Sequence, residues 1–118
     1  WRPLAERGGA EAQYMLGTMY AQGLGVPQDY EEALRLFRKA AEQGLAAAQN
    51  ALGVMYEQGW GIPQDFILAH LWFNLAAAQG NKRGAQGRDI IAGKMPYGDI
   101  SKAQRLAREW LEKHGKAK

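Results

Sequence analysis

An internal repeat restricts the fold of this chain more than any other feature of the sequence. The stretch over residues 10–30 returns 36 residues later over residues 46–66, and about half of the aligned positions are identical over one full period. A period of this length is typical of a solenoid, in which each repeat is one supersecondary unit and neighbouring units stack on each other. The chain is therefore predicted to be all-α, an α/α solenoid of antiparallel helix hairpins.

The first half of each repeat has the pattern of an amphipathic helix. In the first copy, Ala12, Leu16 and Tyr20 recur at helical spacing and predict a helix, called helix A, over residues 10–22. The glycines of the 23–25 turn end this helix, because glycine readily adopts the left-handed conformation that caps a helix. The same pattern in the second copy predicts a helix A over residues 46–58.

The second half of each repeat predicts another helix, called helix B. Pro27 cannot continue helix A, and Asp29 is a typical N-cap with Glu32 placed to complete a capping box. The apolar positions that follow predict helix B over residues 30–43, and the second copy predicts it over residues 66–79. Each repeat is thus expected to form one helix hairpin.

A glycine in the middle of helix A recurs as Gly17 and Gly53. Glycine inside a helix costs about 1 kcal/mol relative to alanine, so its repetition indicates a packing constraint. We expect helix A to approach helix B closely at these two positions, against Ala33 and Ala69.

The third copy loses the repeat signature and predicts a C-terminal cap. A helix is expected over residues 82–92, residues 93–98 interrupt the pattern, and Asp99 starts a final helix over residues 100–113. This helix should cover the second helix B, which is more apolar than the first because it carries Ile67, Leu71, Trp72 and Leu75. The covering stripe consists of Ile100, Ala103, Leu106, Ala107, Trp110 and Leu111.

The repeat pattern predicts a single domain over residues 1–118. Residues 1–8 match the end of a helix B and belong to a truncated repeat. The two full repeats span residues 9–44 and 45–80, and residues 81–118 form the degenerate repeat and the cap.

Composition argues against catalysis and metal binding. The chain has no cysteine, which excludes disulfides, thiolate catalysis and cysteine metal sites. Ser101 is the only serine and Thr18 the only threonine, so there is little material for a nucleophile. His70 and His114 are far apart and lack a His-x-x-x-His pattern, so no metal site is expected. His70 is interpreted as a packed or half-exposed histidine of helix B.

Charge and hydropathy argue against nucleic-acid binding and membrane insertion. The formal net charge is +3, from 15 basic and 12 acidic residues. The lysine-rich end over residues 113–118 is interpreted as a solvated helix end, not as a nucleic-acid arm. No apolar run approaches the roughly 20 residues that span a bilayer. The compartment stays undecided.

The repeat resembles a known family. A run of Ala12-Gln13, Leu16-Gly17 and Tyr20 is similar to helix A of tetratricopeptide repeats, but the period is longer and the turn carries Gly-Leu-Gly-Val-Pro-Gln-Asp. This combination resembles the Sel-1-like repeat family, and residues 69–78, 88–89 and 103–110 are similar to the tail of its bacterial members. The resemblance implies a right-handed superhelix and a protein-interaction adaptor that is not an enzyme and needs no cofactor.

The expected partner is a peptide or protein bound in a concave groove lined by helix A of each repeat. The face of helix A directed away from helix B varies between copies, whereas the scaffold positions repeat. A face that recognises a partner explains this variation, and simple drift of exposed positions explains it equally well. The face comprises Glu11, Tyr14, Thr18, Ala21, Ala47, Asn50, Val54, Glu57, Arg83 and Gln86.

Two other functions stay open at this point. A small-molecule or cell-wall-fragment binder or an enzyme would need convergent titratable groups in one apolar pocket, such as His70 beside two carboxylates. A self-assembling segment of a longer array would use the N-terminal edge, where Trp1 and Leu4 belong to half a repeat. Trp60, whose counterpart is Leu24, is either packed between repeats or an exposed contact residue.

Overall fold

The computed structural model describes residues 9–115, and within this range the chain forms α-helices and no strands. Each helix packs on the next along the chain from α1 to α5, and α6 packs on α4. This arrangement confirms the α/α solenoid. The helices are α1 (Ala10–Gln22), α2 (Tyr30–Glu42), α3 (Ala46–Gln58), α4 (Phe66–Ala78), α5 (Lys82–Ala92) and α6 (Tyr97–Gly115). The predicted truncated repeat, with Trp1 and Leu4, and the last residues of the lysine-rich end lie outside the described residues.

Local hydrogen bonds set the ends of the hairpin helices. Gly23 and Gly59 adopt left-handed φ angles of 69° and 71° and end the two A helices, α1 and α3. Asp29 and Asp65 accept the backbone N–H three residues ahead, at 3.1 Å in each case, and start the B helices, α2 and α4. The B helices end one residue earlier than predicted, because Gln43 and Gln79 take the C-cap position.

The Pro-Gln-Asp turn also ties helix B back to helix A. The side-chain amide of Gln28 donates to the backbone carbonyl of Ala21 at 2.8 Å, and Gln64 donates to Glu57 at 2.7 Å. These bonds satisfy carbonyls in the last turn of each A helix, which have no partner within the helix. The repeated glutamine therefore stabilises the turn in both repeats.

The mid-helix glycines allow helix B to approach closely, as expected. A Cβ atom at Gly17 would lie 2.9 Å from the ring of Phe37, and one at Gly53 would lie 2.5 Å from the ring of Phe73. Real Cβ atoms do not approach carbon atoms so closely without a shift of one partner. A phenylalanine ring thus occupies the space that a side chain would take at each glycine, and the overlap is larger at Gly53 than at Gly17.

The atoms nearest to these glycines belong mainly to the phenylalanine rings of helix B. The carbonyl of Ala33 does lie 3.4 Å from the Cβ position at Gly17, but the nearest atoms at Gly53 all belong to Phe73 and none to Ala69. The ring of Phe73 is larger than the methyl group of alanine and reaches further across the interface. The same ring also lies against α5, where a Cβ at Gly87 would be 2.8 Å away.

The cap helix α6 begins earlier than the sequence predicted. It starts at Tyr97, and the backbone amides of Asp99 and Ile100 both donate to the carbonyl of Pro96 at 3.1 Å. Asp99 therefore lies inside the first turn and does not cap the helix, contrary to the expectation. The fixed φ of proline favours a helix start at this point.

The cap covers α4 as predicted, with one exception. Trp110 meets Trp72 edge to face with ring centroids 5.9 Å apart, and Ala103 and Ala107 are buried. Leu111 was assigned to the same stripe, but 46% of its surface is exposed. This residue lies at the end of the contact with α4, where it borders an open pocket.

Candidate partner-binding face

The predicted face, called the A-helix face, is accessible over its whole length. Glu11, Arg83 and Gln86 are exposed, and none of the other members is buried. A partner could therefore reach these residues. That they bind a partner stays a prediction. The partly exposed members are Tyr14, Thr18, Ala21, Ala47, Asn50, Val54 and Glu57.

The structure places parts of this face next to each other. Helices α3 and α5 are in direct contact, so the helix of Asn50 and Val54 lies beside the helix of Arg83 and Gln86. Helix α1 packs on α2, and α2 packs on α3.

Two members of the A-helix face have contacts inside repeat one, and Tyr14 is not directed away from helix B as expected. The Tyr14 ring lies 5.7 Å from that of Phe37 at an angle of 42°, and the hydroxyl of Thr18 donates to the carbonyl of Tyr14 at 3.0 Å. The Tyr14 ring is therefore held in place by packing, which lowers the entropy cost of using it as a contact. A test of its role should keep the ring and remove only the hydroxyl.

Sequence reasoning missed one residue of this face. Thr18 and Val54 are equivalent positions, and the same shift leads to Ile90, whose surface is 60% exposed. An exposed isoleucine on α5 adds an apolar group beside Arg83 and Gln86. The repeat period would have identified it, but the third copy had lost the residues that mark the alignment.

A pair of buried glutamines, Gln13 and Gln49, was also missed. The Nε2 of buried Gln49 donates to the carbonyl of Ala41 at 3.2 Å, and its Oε1 accepts from Gln79 at 2.9 Å. The equivalent pair in repeat one is Gln43 and Gln13, at 2.7 Å. A polar residue that recurs at a buried position every 36 residues was the available signal.

His70 is a packed histidine, in agreement with the sequence interpretation. Its ring is buried, and its Nδ1 has no hydrogen-bond partner in the part of the chain that the structure describes. Burial, helped by Arg88, lowers the pKa of His70 from its ordinary value of 6.5, and Asp89 opposes this shift. His70 thus faces one carboxylate and one guanidinium, not the two carboxylates that the enzyme alternative requires.

Trp60 is both packed and exposed, and its role as a contact residue stays a prediction. Its ring stacks on Tyr30 with centroids 5.4 Å apart and an angle of 11° between the planes, while 41% of its surface is exposed. Across residues 9–115, no group of three histidine or acidic side chains could hold a metal ion. Over the same range, no helix is both long and apolar enough to cross a membrane.

Repeated hairpins with variable A helices define a helical repeat protein of the tetratricopeptide-like class. The model of the Sel1 repeat matches residues 10–45, 46–81 and 93–113, and the chain belongs to the Sel1 repeat family. The third match lies within the segment that the sequence marked as degenerate. Proteins of this family generally act as protein-interaction scaffolds.

Two solved bacterial structures are similar to this chain. One is c5321, a protective antigen of uropathogenic Escherichia coli with an SLR fold, at 37% identity and a TM-score of 0.92 over 96% of this chain. The other is a Sel1 repeat protein from Oxalobacter formigenes, at 32% identity and a TM-score of 0.72 over 88% of this chain. The chain spans 24% and 45% of the length of these two proteins. No curated protein sequence matches it.

Proposed function

We propose that this chain is a non-catalytic interaction module that binds a peptide or protein partner on the A-helix face. One observation carries the proposal: the positions that repeat between copies mostly hold the scaffold together, and the positions of the A-helix face do not repeat. Gly53, Asp65 and Gln49 each have a structural contact that explains their repetition. The contacts that hold the scaffold together do not explain why the residues of the A-helix face differ between copies.

The chemistry of the A-helix face suits an extended partner with mixed contacts. Val54 and Ile90 offer apolar surface on adjacent helices, with Asn50 and Gln86 beside them as hydrogen-bonding groups. Glu57 and Arg83 place opposite charges on α3 and α5. A small set of anchors surrounded by polar groups is typical of protein interfaces. The general role of Sel1 repeat proteins as interaction scaffolds supports the same conclusion.

A capture experiment with a matched control tests the proposal. The test variant combines Tyr14→Phe, Asn50→Ala and Arg83→Glu, which alter the A-helix face and keep the Tyr14 ring against Phe37. The control variant combines Tyr97→Phe, Gln104→Ala and Lys39→Glu, the same kinds of change at exposed positions elsewhere. Captured proteins are identified by mass spectrometry, and helicity is measured by circular dichroism.

The parent and the control variant should capture the same partner, and the test variant should lose it with unchanged helicity. Because charge reversal at a contact costs several-fold in affinity, the loss should be about ten-fold or more for three contacts together. Retention of the partner by the test variant would refute the A-helix face as the site. Equal loss in both variants would refute it as well, since the effect would then not depend on position.

A further inference from the structure

A pocket of about 250 Å³ lies where α2, α4 and α6 end. No residue of the A-helix face lines it, so it is separate from the site proposed above. Leu75, Trp110 and Leu111 form its apolar wall, and the polar groups come from Glu42 and from glutamines. The volume is below the roughly 300–1,000 Å³ of pockets for drug-sized ligands, and it suits one aliphatic side chain.

The hydrogen bonds of the glutamines determine which atoms they offer to the pocket. Gln49 donates its amide nitrogen to the carbonyl of Ala41, which can only accept, so its oxygen is the atom that faces Gln79. Gln79 must therefore donate through its own amide nitrogen. Its side-chain oxygen is left as an acceptor at the pocket wall.

Gln43 and His114 also present acceptors to the pocket. Gln43 donates its amide nitrogen to Gln13 and to the carbonyl of Lys39, which leaves its oxygen as an acceptor. His114 approaches the carbonyl of Trp110 with Nδ1 at 3.0 Å, so in the neutral ring Nδ1 carries the hydrogen and Nε2 keeps the lone pair. The side-chain oxygens of Gln43 and Gln79 and Nε2 of His114 thus stay available as acceptors, because the amide nitrogens and Nδ1 are used in these hydrogen bonds.

The carboxylate at the pocket comes from Glu42. The helix of Glu42 and α4 both end here, so the partial negative charge of two helix C-termini adds to it. The first turn of α3 also reaches the wall through Gln49, so the partial positive charge of that helix N-terminus offsets part of this negative charge. Among the described residues, no lysine or arginine lines the pocket.

We propose that this pocket binds a primary alkylammonium group, such as the side chain of a lysine. The ammonium donates to the oxygens of Gln43 and Gln79 and pairs with Glu42, and its methylene stem lies against Leu111. An ammonium has three donors and no acceptor, which matches the two glutamine oxygens and the carboxylate. The aliphatic stem of lysine readily covers apolar surface while its charged end stays near water.

The test is a titration of the folded chain followed by backbone amide shifts in ¹H–¹⁵N NMR spectra. The probes are n-butylammonium chloride, with 1-butanol as its neutral counterpart and sodium chloride at equal ionic strength. Butylammonium should shift amides around Gly44, Gln79 and Leu111 and saturate with a dissociation constant on the order of 1 mM, as expected for so small a ligand. The same shifts with butanol, or shifts that do not saturate, would overturn the proposal.

Two variants separate the pocket from general surface charge. Glu42→Gln removes the carboxylate at the pocket, and Glu31→Gln removes an exposed carboxylate from the other end of the same helix. Glu42→Gln should weaken binding about two- to five-fold, the range of an exposed ion pair, and Glu31→Gln should leave it unchanged. Equal weakening by both variants would show that no specific site exists.

A second pair of probes distinguishes the source of the ammonium group. Lysine blocked as its N-acetyl methylamide is compared with blocked norleucine, which has an aliphatic side chain without the ammonium. Binding of blocked lysine with the affinity of butylammonium supports a peptide side chain, and binding of butylammonium alone supports a free amine. Equal binding of blocked lysine and norleucine would contradict ammonium recognition.

Discussion

Repeats one and two have the same plan but occupy different environments. Both are hairpins with the same glycine and aspartate caps, and all four of their helices contain 13 residues. The outer side of α2 carries the exposed residues Arg35 and Lys39, whereas the equivalent positions of α4 are the buried residues Leu71 and Leu75. The outer side of α4 is therefore buried under the cap, whereas the outer side of α2 is exposed to solvent.

The comparison of two equivalent phenylalanines shows how the environment changes the role of a residue. Phe37 packs against the glycine of one helix, Gly17, while Phe73 lies between Gly53 of α3 and Gly87 of α5. In a solenoid, stability depends on the interfaces between neighbouring units. The stability of this chain should therefore be concentrated around α4, although the sequences of the two repeats are similar.

The largest effect should follow from breaking the contact between the cap and repeat two. Trp110→Ala removes the ring that meets Trp72, and it should lower the free energy of unfolding by about 2–4 kcal/mol. The estimate lies below the cost for a fully buried tryptophan because Trp110 is only partly buried. Thermal and chemical unfolding followed by circular dichroism measures the change.

A neighbour on the same helix provides the control. Leu111→Ala changes a half-exposed residue and should cost about 1 kcal/mol or less. Deletion of the chain after Gly98 should expose Trp72 and its neighbours and cause aggregation. If Trp110→Ala unfolded at the same temperature and denaturant concentration as the parent, α6 would not stabilise repeat two. The cap would then not distinguish the two repeats.

An intermediate effect should distinguish the glycines of the two repeats. Gly53→Ala places a methyl group 2.5 Å from the ring of Phe73, which α5 holds from the other side. The strain of about 1–3 kcal/mol should exceed the gain of about 1 kcal/mol from helix propensity. Gly17→Ala creates a less severe contact with Phe37, at 2.9 Å, and the two terms should nearly cancel.

Urea unfolding compares the two glycine variants at equal m-values. The midpoint for Gly53→Ala should lie clearly below that for Gly17→Ala. Equal midpoints would mean that Phe37 and Phe73 are held with the same rigidity, and the contrast between the repeats would then be limited to the cap.

The smallest effect concerns His70, whose equivalent in repeat one is Leu34. Burial lowers the pKa of His70 in the folded state below 6.5, so the unfolded chain binds more protons once the pH falls below that value. The associated stability is complete above about pH 6.5 and is lost as the pH falls toward the lowered pKa. Arg88 and Asp89 are the charged groups that face the ring.

The variant His70→Leu should lose less stability than the parent when the pH is lowered from 7.5 to 5.5. Melting temperatures of both proteins at each pH give this difference directly. The effects of the other titrating groups largely cancel, because both proteins contain them. Parallel loss in the two proteins would show that acid destabilisation does not arise at the interface of α4 and α5.

Much of the fold could be predicted because its signals are local. Gly23 and Gly59 end α1 and α3, and Asn81 caps α5, each through bonds within a few residues, so the bounds of these three helices follow from the sequence. The accessible positions of the A-helix face also follow from helical spacing. The repeat allowed the assignment in one copy to be transferred to the next. Ile90 was missed because the third copy lacks the residues that mark the alignment.

Only the tertiary structure decided how the copies differ. The position of Gly87 against Phe73, the exposure of Leu111 and the acceptor left on Gln79 all depend on residues from other helices. Helical periodicity assigns a residue to a face, but it does not say how far the neighbouring helix extends or which atom it presents. The pocket at the ends of α2, α4 and α6 exists because three helices that are far apart in the sequence end close together in space. No local sequence pattern indicates that these ends meet.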